Sequence, residues 1–252
     1  MKTLTQVWLI CATSCFLFLI LGFQLAGRLG LLVSFLLCLV LLYLIFHKGL
    51  KIFIERTRAQ EIIGNDPHKL TGLFKQHALA YGFRKVRLYV TDRPTPPLVW
   101  PEFSNQLVVF LNAQTLEQLT AKEKTLFVHL LLSHGFLHSK LIRKTMGLIY
   151  ISLAPFEKLS APLFNLVAYS LGLSKEIYKS DLKALSVSQA SNFEFGLLLH
   201  KLHYLQTHTD KIFEGTYFFS ILSKTNPKLY NLKFHPNVTS REKNLLGYSV
   251  GL

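Results

Sequence analysis

Residues 129–138 read HLLLSHGFLH, three histidines set into an otherwise apolar stretch. On a helix, His134 and His138 share one face, and that spacing lets two imidazoles of an HExxH helix hold a catalytic zinc. The residue after His134 is Gly135, where such a helix carries the glutamate that takes the proton of zinc-bound water. A metal held by His134 and His138 is therefore expected to be structural rather than hydrolytic. Glu176, Asp181 or the His200/His203 pair could supply its third ligand. The plain alternative is two helix-face histidines at a polar boundary, with no metal. The chain carries no phosphate loop, dinucleotide fingerprint, nucleophilic cysteine or Ser/His/Asp pattern.

The helix that bears these histidines has a legible start, because Thr120 and Glu123 have capping-box form just before the apolar run. Upstream, the pattern predicts a helix from about His68 to Tyr81, closed by Gly82. Val86, Leu88 and Val90 alternate with Arg87 and Tyr89 and predict a strand, while the continuous LVVFL at 107–111 predicts a buried one. Between them TDRPTPPLVWP, with four prolines, reads as a surface loop anchored by Trp100. Residues 146–173 are apolar but interrupted at Pro155, Glu157, Lys158 and Pro162, so neither half is long enough to span a bilayer. A core hairpin and a membrane-dipping pair of helices both fit. Helices are expected at roughly 174–189, 191–207 and 211–224.

The N-terminus has a different composition. Thr3–Gly27 and Leu29–His47 are free of Asp, Glu, Lys and Arg, and each is long enough to cross a hydrocarbon core of roughly 30 Å. Residues 1–50 are expected to form a transmembrane hairpin, with spans about 6–26 and 29–47. A cleavable signal peptide is the rival reading, but the first run is long for one and a second span follows at once. Lys2, Lys48, Lys51, Arg56 and Arg58 lie outside the spans and only Arg28 lies between them, which predicts cytoplasmic ends. Cys11, Cys15 and Cys38 all fall within the spans, leaving residues 51–252 without thiols, as suits a reduced compartment. All 14 acidic residues and all but Lys2, Arg28 and Lys48 of the 28 basic ones lie beyond the anchor, a net +11. Such a body leans on an acidic inner leaflet. Its lysines are scattered, with no aromatic-basic motif, so nucleic acid is not an expected partner.

Three stretches add to this order of elements: LVVFLNAQTLEQLTAKE at 107–123, IYKSDLKAL at 177–185 and FHPNVTSREKNLL at 234–246. Together they make the chain resemble the HtpX-type membrane zinc metallopeptidases, kin of the CAAX prenyl endopeptidases. The resemblance implies an α+β fold, mostly helical, with a zincin-like cytosolic domain and a small sheet over residues 51–252. LVVFL is similar to the family's edge strand, along which an extended polypeptide adds. Asp181, His235 and Arg241 stand at family-signature positions. Counted without a gap, however, the family's H-E-x-x-H falls on Leu130-Leu131-Leu132-Ser133-His134, and its third zinc ligand falls on Ile177.

With one ligand kept and the base replaced by leucine, no zinc and no water activation are expected. The resemblance then implies a catalytically degenerate homologue in a bacterial-type inner membrane. Its role would be binding or regulation in membrane-protein quality control, its partners the lipid bilayer and membrane or misfolded polypeptides. The alternative is a divergent active zinc endopeptidase using His134, His138 and a remote acid.

Overall fold

Leu107 to Leu111 is the run on which the fold is built. The structure, a computed structural model, describes residues 2–43, 49–64, 66–93, 95–102, 105–136, 140–152, 157–205, 218–222 and 234–247. In chain order the elements are α1 (Lys2–Tyr43), α2 (Gly49–Thr57), β1 (Gln60–Glu61) and α3 (Leu70–Ala78), the last extended by a 3-10 turn to Tyr81. Then come β2 (Lys85–Thr91), β3 (Leu98–Pro101), β4 (Gln106–Asn112), α4 (Ala113–Gln118) and α5 (Ala121–Gly135). The rest is helical: α6 (Lys140–Ser152), α7 (Glu157–Ser170), α8 (Leu173–Ser188), α9 (Asn192–Leu205) and α10 (Val238–Leu246). This is an α+β chain, mostly helical with a small mixed sheet.

The sheet order is β1-β2-β4-β3, with β2 parallel to β4 and β3 antiparallel to it. Burial on both faces explains why β4 reads as an unbroken apolar run rather than an alternating one. Side chains of a strand alternate between faces, so β4 serves two cores. Leu107, Val109 and Leu111 join α3, α5 and α9 in one; Val108 and Phe110 join α2, α6 and α7 in the other. β4 is thus a central strand, which corrects the expectation that it lies at an edge and is open to strand addition.

Two further expectations change. The Pro-rich stretch is not all loop, since Leu98–Pro101 pairs with β4 and Trp100 is buried against Phe219 (ring centroids 4.5 Å). Prolines hide such a strand because they lack the N–H that a central strand donates. The helix expected at 211–224 lies partly outside the described residues, and its described part, 218–222, runs antiparallel along β3. There Val99 N–H donates to Phe219 O at 2.8 Å and Ile221 N–H to Pro97 O at 3.2 Å. The outer edge of β3 is therefore covered.

Within α1, Ala26 and Gly27 leave helical geometry, and Gly27 takes φ +58°, a value glycine adopts without strain. Gly22 and Gly30 touch across this break: a Cβ built on Gly30 would collide with the Gly22 carbonyl oxygen. Cys15–Val40 is long and apolar enough to cross a membrane, and little of it is covered by the rest of the chain. Residues 44–48, the end of the second expected span, lie outside the described residues.

Candidate functional site

The capping box forms as its spacing requires. Glu123 N–H donates to Thr120 Oγ1 and Thr120 N–H to the Glu123 carboxylate, and Lys201 of α9 holds that carboxylate at 2.8 Å. From this start α5 runs along α8, with ten consecutive buried residues from Leu126 to Gly135. His134 meets Asp181 across that contact, Nε2 to Oδ1 at 3.3 Å. Arg241 of α10 grips the same carboxylate with two donors, Nε to Oδ2 at 2.7 Å and a terminal nitrogen to Oδ1 at 2.5 Å. Its remaining nitrogen donates to Ile221 O at 2.7 Å. All three side chains are buried. A two-pronged guanidinium–carboxylate pair is the geometry that offsets the desolvation of both charges.

Protonation follows from this arrangement. Burial alone would raise Asp181, but the Arg241 guanidinium and the His134 ring hold it below the usual carboxylate range. Burial pushes His134 down to about 4, helped by Arg241 and Arg143 and opposed by Asp181. The ring is therefore neutral at pH 7, and a carboxylate can only accept, so the proton sits on Nε2. Nδ1 keeps its lone pair and has no hydrogen-bond partner among the described residues. Arg143, buried beside this group, donates to Ser220 O at 3.1 Å and is lowered by burial to about 10 while Glu176 favours its charge. The two arginines thus hold two successive carbonyls of the segment that covers β3.

The remaining expected positions divide sharply. Leu130, Leu131 and Ile177, on which the resemblance was expected to place two ligands and the base, are fully buried hydrophobes. His235 is half-buried, its ring against Phe234 at 4.8 Å. His200 pairs with Glu242, Nδ1 to Oε1 at 3.0 Å, and so is engaged away from His134. His138 lies outside the described residues. The helical argument that joined it to His134 loses its basis, because α5 ends at Gly135 with Phe136 as its cap. Gly135 also has a packing reason to be glycine, since a Cβ there would lie 2.5 Å from Leu107 Cδ1. A side chain at that position would have to displace the Leu107 side chain of β4. Among the described residues no three His, Cys, Asp or Glu side chains converge as a metal requires.

A second buried histidine escaped the sequence reading. His129 Nδ1 lies 3.0 Å from the Tyr81 hydroxyl, and its ring meets that of His77 at 4.3 Å. Burial, then the neighbouring His77, lowers His129 to about 4, and burial raises the Tyr81 phenol. A protonated phenol donating to the imidazole lone pair satisfies both groups. Lys183 of α8 closes this neutral site with its ammonium over the Phe136 ring, 3.1 Å from the centroid. No local signal could have joined Tyr81 to His129, which stand 48 residues apart. No family model, curated protein or solved structure matches the chain.

Proposed function

We propose that the chain is an HtpX-like, membrane-anchored metallopeptidase homologue that has lost its chemistry, with a binding or regulatory role in membrane-protein quality control. One observation carries this reading. His134, Asp181 and Arg241, the three buried positions marked by the resemblance, meet in one cluster although they are 47 and 60 residues apart. The three positions that would have made that cluster hydrolytic are Leu130, Leu131 and Ile177. Zinc needs three ligands and an open water position, and water activation needs a carboxylate. What remains is a structural ion-pair network. The divergent active endopeptidase, which would need zinc, has less support, because His134 turns Nε2 to Asp181 and neither Leu131 nor Gly135 supplies a base.

The anchor is proposed as a two-arm hairpin turning at Ala26-Gly27. Support comes from the contacts of Gly22 with Gly30 and Ser34, and from the nearness of the Cys15 and Cys38 side chains. Small residues let two helices approach closely in lipid. Mild oxidation of intact membranes is expected to join Cys15 to Cys38; a bond confined to separate molecules, read by peptide mass spectrometry, would overturn the hairpin. The Lys/Arg distribution supports an inner-membrane protein, multi-pass, with both termini and the body in the cytoplasm. Strand addition at 107–111 is withdrawn, so polypeptide partners must use another surface.

The test of the reading is reconstruction. The triple variant Leu130→His, Leu131→Glu, Ile177→Glu is expected to take up near-stoichiometric zinc when purified in detergent, while the unaltered chain takes up none. A folded triple variant without zinc would refute the zincin-like geometry. Zinc in the unaltered chain, together with cleavage of a denatured membrane protein that a chelator stops, would refute the loss of chemistry.

A further inference from the structure

The outward face of α7 needs an explanation that the cytosolic body does not supply. Its inward positions Ala161, Phe164 and Ala168 are buried in the second core. Its outward positions Pro162, Leu163, Leu166 and Tyr169 are also apolar, yet Leu163, Leu166 and Tyr169 are 59%, 65% and 84% exposed. A surface helix in water places charged residues on that side, and a helix apolar all round is normally covered. α9 makes the contrast: it too exposes Phe193 and Tyr204, but among ion pairs, Glu194 with Lys122 and Lys201 with Glu123.

The position of α7 says what covers it. α6 packs against α1, and Leu148 of α6 touches Gly49, six residues after α1 ends at Tyr43. Two residues on, Tyr150 meets Phe164 of α7 edge to face at 5.0 Å. α7 therefore stands one helix away from the point where the apolar N-terminal segment enters the body, on the sheet face that carries α2 and α6. On the following helix, Lys175 and Lys179 are exposed, and the chain as a whole carries +14.

We propose that α7 lies in the interface of an anionic bilayer, with Leu163, Leu166 and Tyr169 among the acyl chains and Lys175 and Lys179 at the headgroups. An apolar face buried beside basic side chains is how an amphipathic helix lies on a membrane, and an aromatic ring at the end of that face sits at headgroup level. The helix is too short to span, so it docks the body against the membrane. The second core is thereby held at the lipid surface and the His134 layer turned to the cytosol. The proposal rests on the membrane anchoring of α1.

The experiment uses the full chain in phosphatidylethanolamine–phosphatidylglycerol vesicles, with Cys11→Ser, Cys15→Ser and Cys38→Ser and one reporter cysteine carrying a polarity-sensitive fluorophore. Leu166→Cys is the probe. Leu79→Cys, 73% exposed on the opposite layer, is the control. The label at 166 is expected to emit further to the blue than at 79, to lose most of its emission to nitroxide-bearing lipid and to lose little to iodide. Quenching by iodide equal to that at 79 would overturn the proposal. Shielding from both quenchers would also overturn it, by showing a protein cover.

If the cysteine-free chain does not insert, hydroxyl-radical labelling of the unaltered chain replaces it. Tyr169 is then expected to be protected by vesicles relative to Tyr204, and equal labelling would overturn the proposal. Failure of the anchor itself reads differently, because alkaline extraction would then release the chain from the vesicles, whereas failure of α7 alone leaves it in the pellet.

Discussion

His134 and His129 sit on the same helix, five residues apart and both neutral, yet they are built into opposite kinds of interior. His134 lies among full charges that cancel, Asp181 against Arg241 with Arg143 and Glu176 alongside. His129 meets a phenol and a second imidazole, with no carboxylate among these contacts. Both rings are held near pKa 4, and burial is the first cause in each case. A lowered histidine pKa is therefore no mark of a catalytic site in this protein. What separates the two is the penalty for removing a partner: a lost charge leaves its counter-charge buried, whereas a lost hydroxyl leaves one weak acceptor unmet.

The largest effect should come from breaking the charged side of that comparison. Asp181→Ala is expected to lower unfolding free energy by about 3–5 kcal/mol, because Arg241 is left buried without its partner. The double variant Asp181→Leu, Arg241→Met should recover most of that loss. Denaturant titration of all three proteins checks this, and a double variant as weak as the single would mean the charges act on more than stability.

Next comes acid. Unfolded, His134 takes up a proton near 6.5; folded, it does so only near about 4, and the same holds for His129. Protons therefore favour the unfolded chain in that window, and stability falls as pH drops from 6.5 towards 4, by about 3 kcal/mol for each ring. The Asp181 contribution has the same sign in a lower window: its folded pKa lies below 3.8, so it is full above that value and is lost only as pH falls further. Thermal unfolding between pH 7 and pH 3 should show the histidine loss first. His134→Gln should remove about half of it, and an unchanged profile would place the pH sensitivity elsewhere.

Gly135→Ala tests the close approach that ends α5 between the two sites, and overpacking against Leu107 should cost about 1–3 kcal/mol. The smallest effect is on the neutral side. Tyr81→Phe removes one hydrogen bond from His129 and should cost about 1 kcal/mol, with no change in the acid profile, because the His129 ring is lowered by burial and His77 rather than by the phenol. A loss as large as that of Asp181→Ala would erase the distinction between the two interiors.

Much of the fold was legible because its signals are local. The capping box of α5, the glycine that closes the turn after α3, the alternation in β2 and the apolar run of β4 each depend on a few neighbouring residues. Residues 98–101 were not recognised as a strand, since proline removes donors from the ladder and mimics a loop. The strand-like path of 218–222 was missed because FFSIL is equally apolar in a helix or a strand, and only the free edge of β3 selects between them. The site was half legible. His134, Asp181 and Arg241 were singled out by motif order, whereas the Tyr81–His129 site has no motif and was invisible.

The sequence by itself determined the start of α5, the strands β2 and β4, and that the N-terminus is apolar enough for a membrane. These are properties of residue type and short spacing, which no packing can change. Only the tertiary structure decided that β4 is central, that Gly135 packs against the Leu107 side chain, and that Asp181 of α8 joins Arg241 of α10 to His134. Those facts arise from contacts between residues far apart in the chain. Their strength depends on burial, which no single stretch of sequence carries.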